Sequence, residues 1–337
     1  MPGMSAELSR AAEALPIAVL TGFLGSGKTT FLQRALRAAA LADSAVIINE
    51  IGEIGLDHYL VETINGPVLE LPGGCLCCSL REDIAATLRG LLARRDAGNG
   101  PRFRRIVIET TGLADPAPLL FTLGADPTLD GRLSLDRVVT MVDGITGLAT
   151  LSRFAEAVRQ VALADLILIS KTDLAPLDPA LVVQIAAINP NAPRHEIRSV
   201  TNVETTLFGS ERTQPVRSPA LTEQPIHTHG VAAHAIVLRG GCSRLEFARA
   251  LGGLARDRGE DLLRVKGIVE FSDRPGNPAF VQGAQHALYP PIWLDRWPDE
   301  DDRSRLVFVV HDIERDEILA RFAFARAEPL VRLPRVA

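Results

Sequence analysis

Short apolar runs alternate with amphipathic segments over the first two-thirds of the chain. The segments between Thr29 and Leu41 and between Asp83 and Arg94 have helical spacing. Runs without polar alternation are typical of parallel strands buried on both faces. The pattern predicts an α/β fold, a doubly wound and mostly parallel sheet with helices on both sides. The predicted strands are Ile17 to Leu20, Ala45 to Ile48, Val68 to Leu71, Arg105 to Glu109, Arg137 to Val142 and Leu166 to Ile169.

A second pattern follows a break in the sequence. Between Gly209 and Gly230 the chain is rich in Pro, Ser, Thr, Gln and Gly, which is typical of a linker. Strands and helices beyond it predict a smaller α+β domain. Its predicted elements are strands at Ala233 to Leu238, Leu262 to Phe271, Ala279 to Gly283 and Arg305 to Val310, and helices at Ser243 to Arg258 and Glu314 to Ala325. The predicted boundaries are 1–220 for the first domain, 221–232 for the linker and 233–337 for the second domain.

Length, charge and the lengths of the apolar runs limit the classes of function to consider. A chain of 337 residues is longer than one core usually requires, which favours two domains. Lys and Arg total 36 against 41 for Asp and Glu, so no broad basic field favours nucleic acid as a partner. No apolar run approaches the roughly 18 residues of a membrane-spanning helix, and the alanine-rich start lacks a signal-peptide layout. We therefore predict a cytoplasmic protein that binds small ligands and not membranes.

The first strand ends in a P-loop pattern, Gly22-Phe23-Leu24-Gly25-Ser26-Gly27-Lys28-Thr29. Glycines let the backbone fold around phosphates and direct its N–H groups inward. We expect Lys28 to contact the β- and γ-phosphates and the Thr29 hydroxyl to bind Mg²⁺. The alternative is a glycine-rich turn without a ligand, which the lysine and hydroxyl disfavour. The residues predicted to bind nucleotide here are Gly22, Gly25, Ser26, Gly27, Lys28, Thr29 and Thr30.

A base-reading motif follows the strand that ends at Ile169. Ser170-Lys171-Thr172-Asp173 resembles the guanine-reading motif of GTPases. One carboxylate can accept from both the ring N–H and the exocyclic amine of guanine, whereas adenine presents the opposite polarity at its ring nitrogen. We expect Asp173 to read guanine and Lys171 to lie along the base plane. A solvated turn is the alternative.

Two further loops carry candidate switch residues. Glu109-Thr110-Thr111-Gly112 follows a strand, where Glu109 is expected to hold Mg²⁺ or its water and the Gly112 N–H to sense the γ-phosphate. The segment from Asn49 to Asp57 is acidic and glycine-containing. Asp57 or Glu53 is expected to approach Mg²⁺ or the attacking water, although such acids are often simply solvated.

Three cysteines lie within four positions, Cys75, Cys77 and Cys78, directly before a predicted helix. The helix dipole favours thiolates there, and soft ligands favour Zn²⁺, Cu⁺ or a related transition metal. No fourth protein ligand is close in sequence, so we expect Glu53 or a histidine to complete the shell in one nucleotide state. Simple packing of the cysteines is the alternative. A weaker candidate for metal binding is the cluster of His227, His229 and His234. Histidines in a flexible linker are more often simply solvated.

These motifs resemble, in order, those of the CobW-like P-loop GTPases. The matching segments are GFLGSGKTT, NEIGEIGLD, GGCLCC, ETTGLADP and SKTD, followed by LRVKGIVEF, FVQGAQHALYPP and WPDEDDRSRLVFV. The resemblance implies a CobW-like C-terminal domain and GTP hydrolysis coupled to transfer of Zn²⁺, Co²⁺ or another transition metal to a client protein. It also implies roles for Lys28 and Thr29 at the phosphates and Mg²⁺, for Glu109 and Gly112 in the second switch, and for the cysteines in binding the transferred metal.

The prediction from sequence is therefore a GTPase metallochaperone, with Lys28, Glu109 and Asp57 as the catalytic candidates and oligomers possible. One alternative is a P-loop kinase or ATPase that carries a structural zinc loop. Another is a non-catalytic zinc or redox sensor whose cysteines control partner binding.

Overall fold

The chain forms one parallel and one antiparallel sheet in a computed structural model that describes residues 14–37, 40–49, 68–71, 79–98, 102–209 and 229–330. The described residues divide into two compact units. The first contains those up to Gly147 together with Ala164–Leu177 and Pro193–Gly209. The second contains Leu148–Leu163, Asp178–Ala192 and the described residues from 229 onward.

The first unit is built on seven strands in the described part of the chain, all parallel to their neighbours. Their order across the sheet is β3-β2-β4-β1-β5-β6-β7. The strands are β1 (Leu15–Gly22), β2 (Ser44–Asn49), β3 (Val68–Leu71), β4 (Arg105–Glu109), β5 (Leu133–Asp143), β6 (Leu166–Ser170) and β7 (Arg194–Glu196). Because they are parallel, their carboxyl ends lie at one edge of the sheet, where open α/β sheets bind ligands.

Apolar burial explains why these segments form strands and helices. All five residues of β6 are buried, as expected for a strand covered on both faces. Helix α1 buries Phe31, Leu32 and Ala35 against a cluster that includes Val107 of β4. The helices are α1 (Lys28–Arg37), α2 (Ser79–Asp96), α3 (Ala117–Ala125), α4 (Gly147–Arg153), α5 (Ala155–Leu163), α6 (Pro179–Ile188) and α7 (Val203–Leu207).

The second unit contains an antiparallel sheet with the order β11-β10-β9-β13-β8-β14, and β12 pairs with β10. Helix α8 begins with a capping box at Ser243 and packs Phe247 against Phe271 and Phe322. Within this unit, helices α5 and α6 contact β8. The elements are β8 (Val231–Leu238), α8 (Arg244–Arg258), β9 (Arg264–Phe271), β10 (Arg274–Ala284), β11 (Ala287–Leu288), β12 (Ile292–Trp293), β13 (Ser304–His311), α9 (Arg315–Arg321) and β14 (Ala327–Pro329).

The predicted fold class is confirmed: a parallel sheet with helices is followed by an antiparallel sheet with helices. Helix α1 is described to Arg37, and Ala40 and Leu41, which end the predicted helix, form a turn. The domain boundaries at 220 and 233 stay predictions, because residues 210–228 lie outside the described part. No helix among the described residues has both the length and the apolar character needed to cross a bilayer.

Candidate nucleotide site

The P-loop takes a backbone path that requires glycine. Between the end of β1 and the start of α1, Gly25 and Gly27 have φ angles of +73° and +92°. Gly22 has a φ of +140°, and a Cβ built on it would lie 2.3 Å from the carbonyl oxygen of Met141 on β5. Side chains at these positions would force the loop away from this path. The loop is therefore shaped as an anion-binding turn at the start of a helix.

Lys28 opens α1 with its side chain directed back to the loop. It is 8% exposed, and its Nζ donates to the carbonyl oxygens of Gly22 at 2.8 Å and Phe23 at 3.4 Å. The sequence has only three lysines, at positions 28, 171 and 266, so two of them lie in the predicted nucleotide motifs. A compact ammonium group suits phosphate as a point charge. Of the neighbouring predicted residues, Ser26 is buried and Thr30 is exposed.

Thr29 and Glu109, predicted independently from two motifs, are in direct contact. The Thr29 hydroxyl donates to Glu109 Oε1 at 2.9 Å, and Glu109 is only 1% exposed. Parallel pairing of β1 with β4, which aligns Leu20 with Glu109, brings them together. A hydroxyl beside a buried carboxylate is a donor set of hard oxygens that fits Mg²⁺. Within the described part of the chain, these two side chains could hold the ion, which would then neutralise phosphate charge.

The loop after β4 lies against the P-loop. The Thr110 backbone N–H donates to Leu20 O at 3.0 Å, and its hydroxyl donates to the Thr21 hydroxyl at 2.8 Å. A Cβ on Gly112 would lie 2.7 Å from the backbone nitrogen of Leu24, a distance that no real Cβ contact allows. Only glycine therefore lets this loop reach the P-loop as it does.

The Ser-Lys-Thr-Asp loop, predicted to read the base, is next to the P-loop on the other side of β1 from β4. A Cβ on Gly27 would lie 3.8 Å from Ser170 Cβ, and Asp173 is exposed in the loop after β6. Lys171 has a φ of +58°, and its Nζ contacts Asp143 Oδ2 at 2.7 Å. Sequence analysis did not identify Asp143, although its position as Asp-Gly directly after an apolar strand is a signal that could have found it.

Asp143 is a carboxylate held by several donors. Its Oδ1 accepts from the backbone N–H groups of Ile145 and Thr146 at 2.8 and 3.1 Å. Burial alone would raise the pKa of this carboxyl, but the hydrogen bonds from Lys171 and from those two N–H groups outweigh it and leave the pKa below its ordinary value. Asp143 is therefore ionised at neutral pH.

The other predicted site residues lie outside the described part of the chain: Glu53, Asp57, Cys75, Cys77, Cys78 and His227. The segments that carry the first five begin where β2 ends at Asn49 and where β3 ends at Leu71, both at the carboxyl edge of the sheet. Helix α2 resumes the described chain at Ser79.

Two of the candidate histidines lie in the described part of the chain, and each contacts a backbone carbonyl oxygen. His229 Nε2 lies 3.1 Å from Ser152 O, and His234 Nε2 lies 3.0 Å from Ile313 O. Burial lowers the pKa of His234 and favours its neutral form. Burial also raises the pKa of the Cys242 thiol to about 12. Among the described residues, no three His, Cys, Asp or Glu side chains form a group that could hold a metal ion.

A parallel sheet that presents a glycine-shaped phosphate loop and a Ser-Lys-Thr-Asp loop at one edge defines the class of P-loop GTPases. Within that class the chain belongs to the CobW/HypB/UreG family. The model of that family's nucleotide-binding domain matches residues 16–196, and the model of the cobalamin synthesis protein CobW C-terminal domain matches residues 231–326. The resemblance drawn from the motifs is thereby confirmed.

Relatives match over nearly the whole chain. The zinc chaperone YjiA of Escherichia coli is 34% identical over 318 residues, which cover 92% of this chain and 99% of the relative. The zinc chaperone CobW of Pseudomonas aeruginosa is 29% identical and covers 93% of this chain and 92% of its own length. The crystal structure of Zn(II)-bound YjiA GTPase from E. coli is similar with a TM-score of 0.69 at 30% identity, over 93% of this chain and 99% of that chain.

Proposed function

We propose that this chain is a GTPase metallochaperone that binds Zn²⁺ or a similar transition metal and delivers it to a client protein. The observation that carries the proposal is the contact of Thr29 with Glu109, because it joins the first turn of α1, directly after the P-loop, to the end of β4. The names of the relatives, which are zinc chaperones and a GTPase, support the metal and the hydrolysis.

Different residues at the sheet edge contact the phosphates, the Mg²⁺ ion and the base of GTP. Lys28 and the glycine-shaped loop bind the phosphates, and Thr29 with Glu109 would hold Mg²⁺, which would offset phosphate charge. Asp173 accepts from the guanine edge while Lys171 lies along the base. The loop with Gly112 lies against Leu24, and the Gly112 N–H is proposed to respond to the γ-phosphate, so that hydrolysis releases the loop after β4. Asp57 is proposed to orient the attacking water.

Sheet topology supports coupling between nucleotide and metal. Only β2 separates β3 from β4, so the strand that leads to Cys75, Cys77 and Cys78 is about 10 Å from the strand that carries Glu109. Both strands end at the same edge. We propose that the cysteines that follow β3 in sequence, with Glu53 from the segment after β2, bind the transferred metal with an affinity that changes as the switch loops respond to GTP or GDP.

The test measures Zn²⁺ affinity by competition with a chromogenic chelator, with the protein loaded with either a non-hydrolysable GTP analogue or GDP. We expect affinities that differ by at least about fivefold between the two states, the low end of ordinary coupling. Equal affinities would overturn nucleotide-driven delivery. Changing Cys75, Cys77 and Cys78 together to serine should lower Zn²⁺ affinity by at least about 100-fold, since serine is a poor ligand for a soft ion.

Two controls make the result specific. The buried Cys242 offers a matched substitution, and Cys242→Ala should leave Zn²⁺ affinity unchanged. Comparison of GTP with ATP turnover tests the base preference separately. A preference for ATP would favour the kinase or ATPase alternative.

A further inference from the structure

We infer that Asp143 is a positioning residue for base recognition, which holds the Lys171 side chain in place to cover the plane of guanine. The inference deepens the proposed function and rests on its assignment of the guanine base to the loop after β6. Asp143 contributes to that site from β5, the neighbouring strand, and it is not part of the Ser-Lys-Thr-Asp motif.

The two loops are locked together at backbone level. Strand pairing sets Asp143 opposite Ser170, and the Gly144 N–H donates to Ser170 O at 2.9 Å. A Cβ on Gly144 would lie 2.6 Å from that same oxygen, so the close approach requires glycine. The backbone pairing of β5 with β6 therefore fixes the position of Lys171 relative to Asp143.

The carboxylate oxygens of Asp143 have separate partners. Oδ1 accepts from the backbone of its own loop at Ile145 and Thr146, whereas Oδ2 accepts from Lys171 Nζ at 2.7 Å. Asp143 is 8% exposed, and the Lys171 side chain is 37% exposed. One end of this ion pair is thus anchored inside the protein, while the lysine remains accessible to a ligand.

Two features favour a ligand-binding role over a purely structural one. Lys171 has a left-handed backbone, with a φ of +58°, which is costly for a residue with a side chain and which clusters at ligand sites. Each of the two loops also exposes a large aliphatic side chain, Ile145 at 50% and Leu174 at 70%. A flat aromatic base would cover such apolar surface.

Asp143 strengthens GTP binding by holding the Lys171 side chain in its binding conformation beforehand. A lysine side chain loses much rotamer freedom when it is fixed against a ligand, and a partner that fixes it beforehand reduces that loss. Without the pair we expect GTP binding to weaken by about 3- to 10-fold, the range set by the ordering of one flexible side chain.

The experiment uses Asp143→Asn in the full-length protein. Asparagine keeps an oxygen for the Ile145 and Thr146 N–H groups but presents an amide donor to the ammonium of Lys171. We expect the KM for GTP to rise while kcat stays within about twofold, since the pair acts on binding. Binding of inorganic tripolyphosphate, which has no base, should be unchanged. The matched control is Asp165→Asn at the opposite end of β6, where Asp165 accepts from the Val138 N–H.

A double-mutant cycle distinguishes a positioning role of Asp143 from a purely structural role. If Asp143 acts through Lys171, then Asp143→Asn should weaken GTP binding no further in a Lys171→Ala background. Additive losses, an equal loss of tripolyphosphate binding, or wild-type affinity in Asp143→Asn would overturn the inference. Wild-type protein that binds ATP as well as GTP would instead overturn the guanine assignment, and the inference with it.

Discussion

The loop after β4 and the loop before β13 are held by different means. At the nucleotide edge, glycine lets backbones touch: a Cβ on Gly112 would lie 2.7 Å from the backbone nitrogen of Leu24 in the P-loop. In the second unit, an arginine of β13 holds the loop before that strand through a carboxylate. The fully buried Arg305 donates to both oxygens of Asp299 at 2.7 Å, with the Trp297 ring 5.8 Å away.

The difference has a functional meaning. A backbone contact through glycine tolerates no added atom, which suits a loop that has to stay close to the P-loop. Ion pairs around a buried arginine are costly to break, which suits a loop that holds one conformation. The comparison makes opposite predictions for substitutions in the two regions.

The largest expected effect is that of Gly112→Ala. The added methyl group collides with the Leu24 backbone and pushes the loop after β4 from the P-loop. We expect kcat for GTP to fall by about 100-fold, as is typical when a catalytic loop is misplaced by 1 Å. Steady-state phosphate release measures it. Gly90→Ala in α2 is the control, because a Cβ there meets nothing within 4 Å. Normal turnover in Gly112→Ala would show that the contact is dispensable.

Arg305→Met should have the next largest effect, on stability and not on turnover. The change leaves Asp299 without its buried partner, and we expect a loss of about 2–3 kcal/mol, reduced from the value for a fully buried pair because the Asp299 side chain is 28% exposed. Urea unfolding would measure it. Arg239→Met breaks an exposed pair with Glu328 and should cost at most about 1 kcal/mol. Similar losses in the two variants would contradict the contrast between the loops.

Thr110→Val should have the smallest effect. It removes a donor from the buried Thr21 hydroxyl, which we expect to cost about 1–2 kcal/mol. Replacing both threonines by valine should restore most of that stability, since neither hydroxyl then remains buried alone. Urea unfolding of the single and double variants measures the effect. If the double variant were less stable than Thr110→Val, the two threonines would stabilise the protein by more than the hydrogen bond between them.

The fold was largely predictable, because apolar runs mark buried strands. β4 begins and ends where the sequence indicates, and the four residues predicted for β3 all lie in a strand. β5 begins earlier than predicted, at Leu133, because Leu133 to Asp136 alternates apolar and polar residues and pairs with the start of β1. A search for continuous apolar runs misses such a segment.

Only the parts of the site that lie within one short stretch of sequence were predictable. The P-loop and the Ser-Lys-Thr-Asp loop are each short enough to identify from spacing, and their binding roles stay predictions. Asp143 and Lys171 are 28 residues apart, and only the pairing of β5 with β6 brings them together. The contact of Leu24 with Gly112 likewise depends on strand order, which periodicity does not specify.

Helices α5 and α6 precede the predicted linker in sequence, yet they belong to the same compact unit as β8 and contact it. A fragment that ends at residue 220 would keep both helices and lose the strand they pack against. Truncation at the linker would therefore uncover apolar surface, and the amino-terminal half should be less soluble than the full-length chain. Dissection of this protein into halves is better guided by its packing than by its linker.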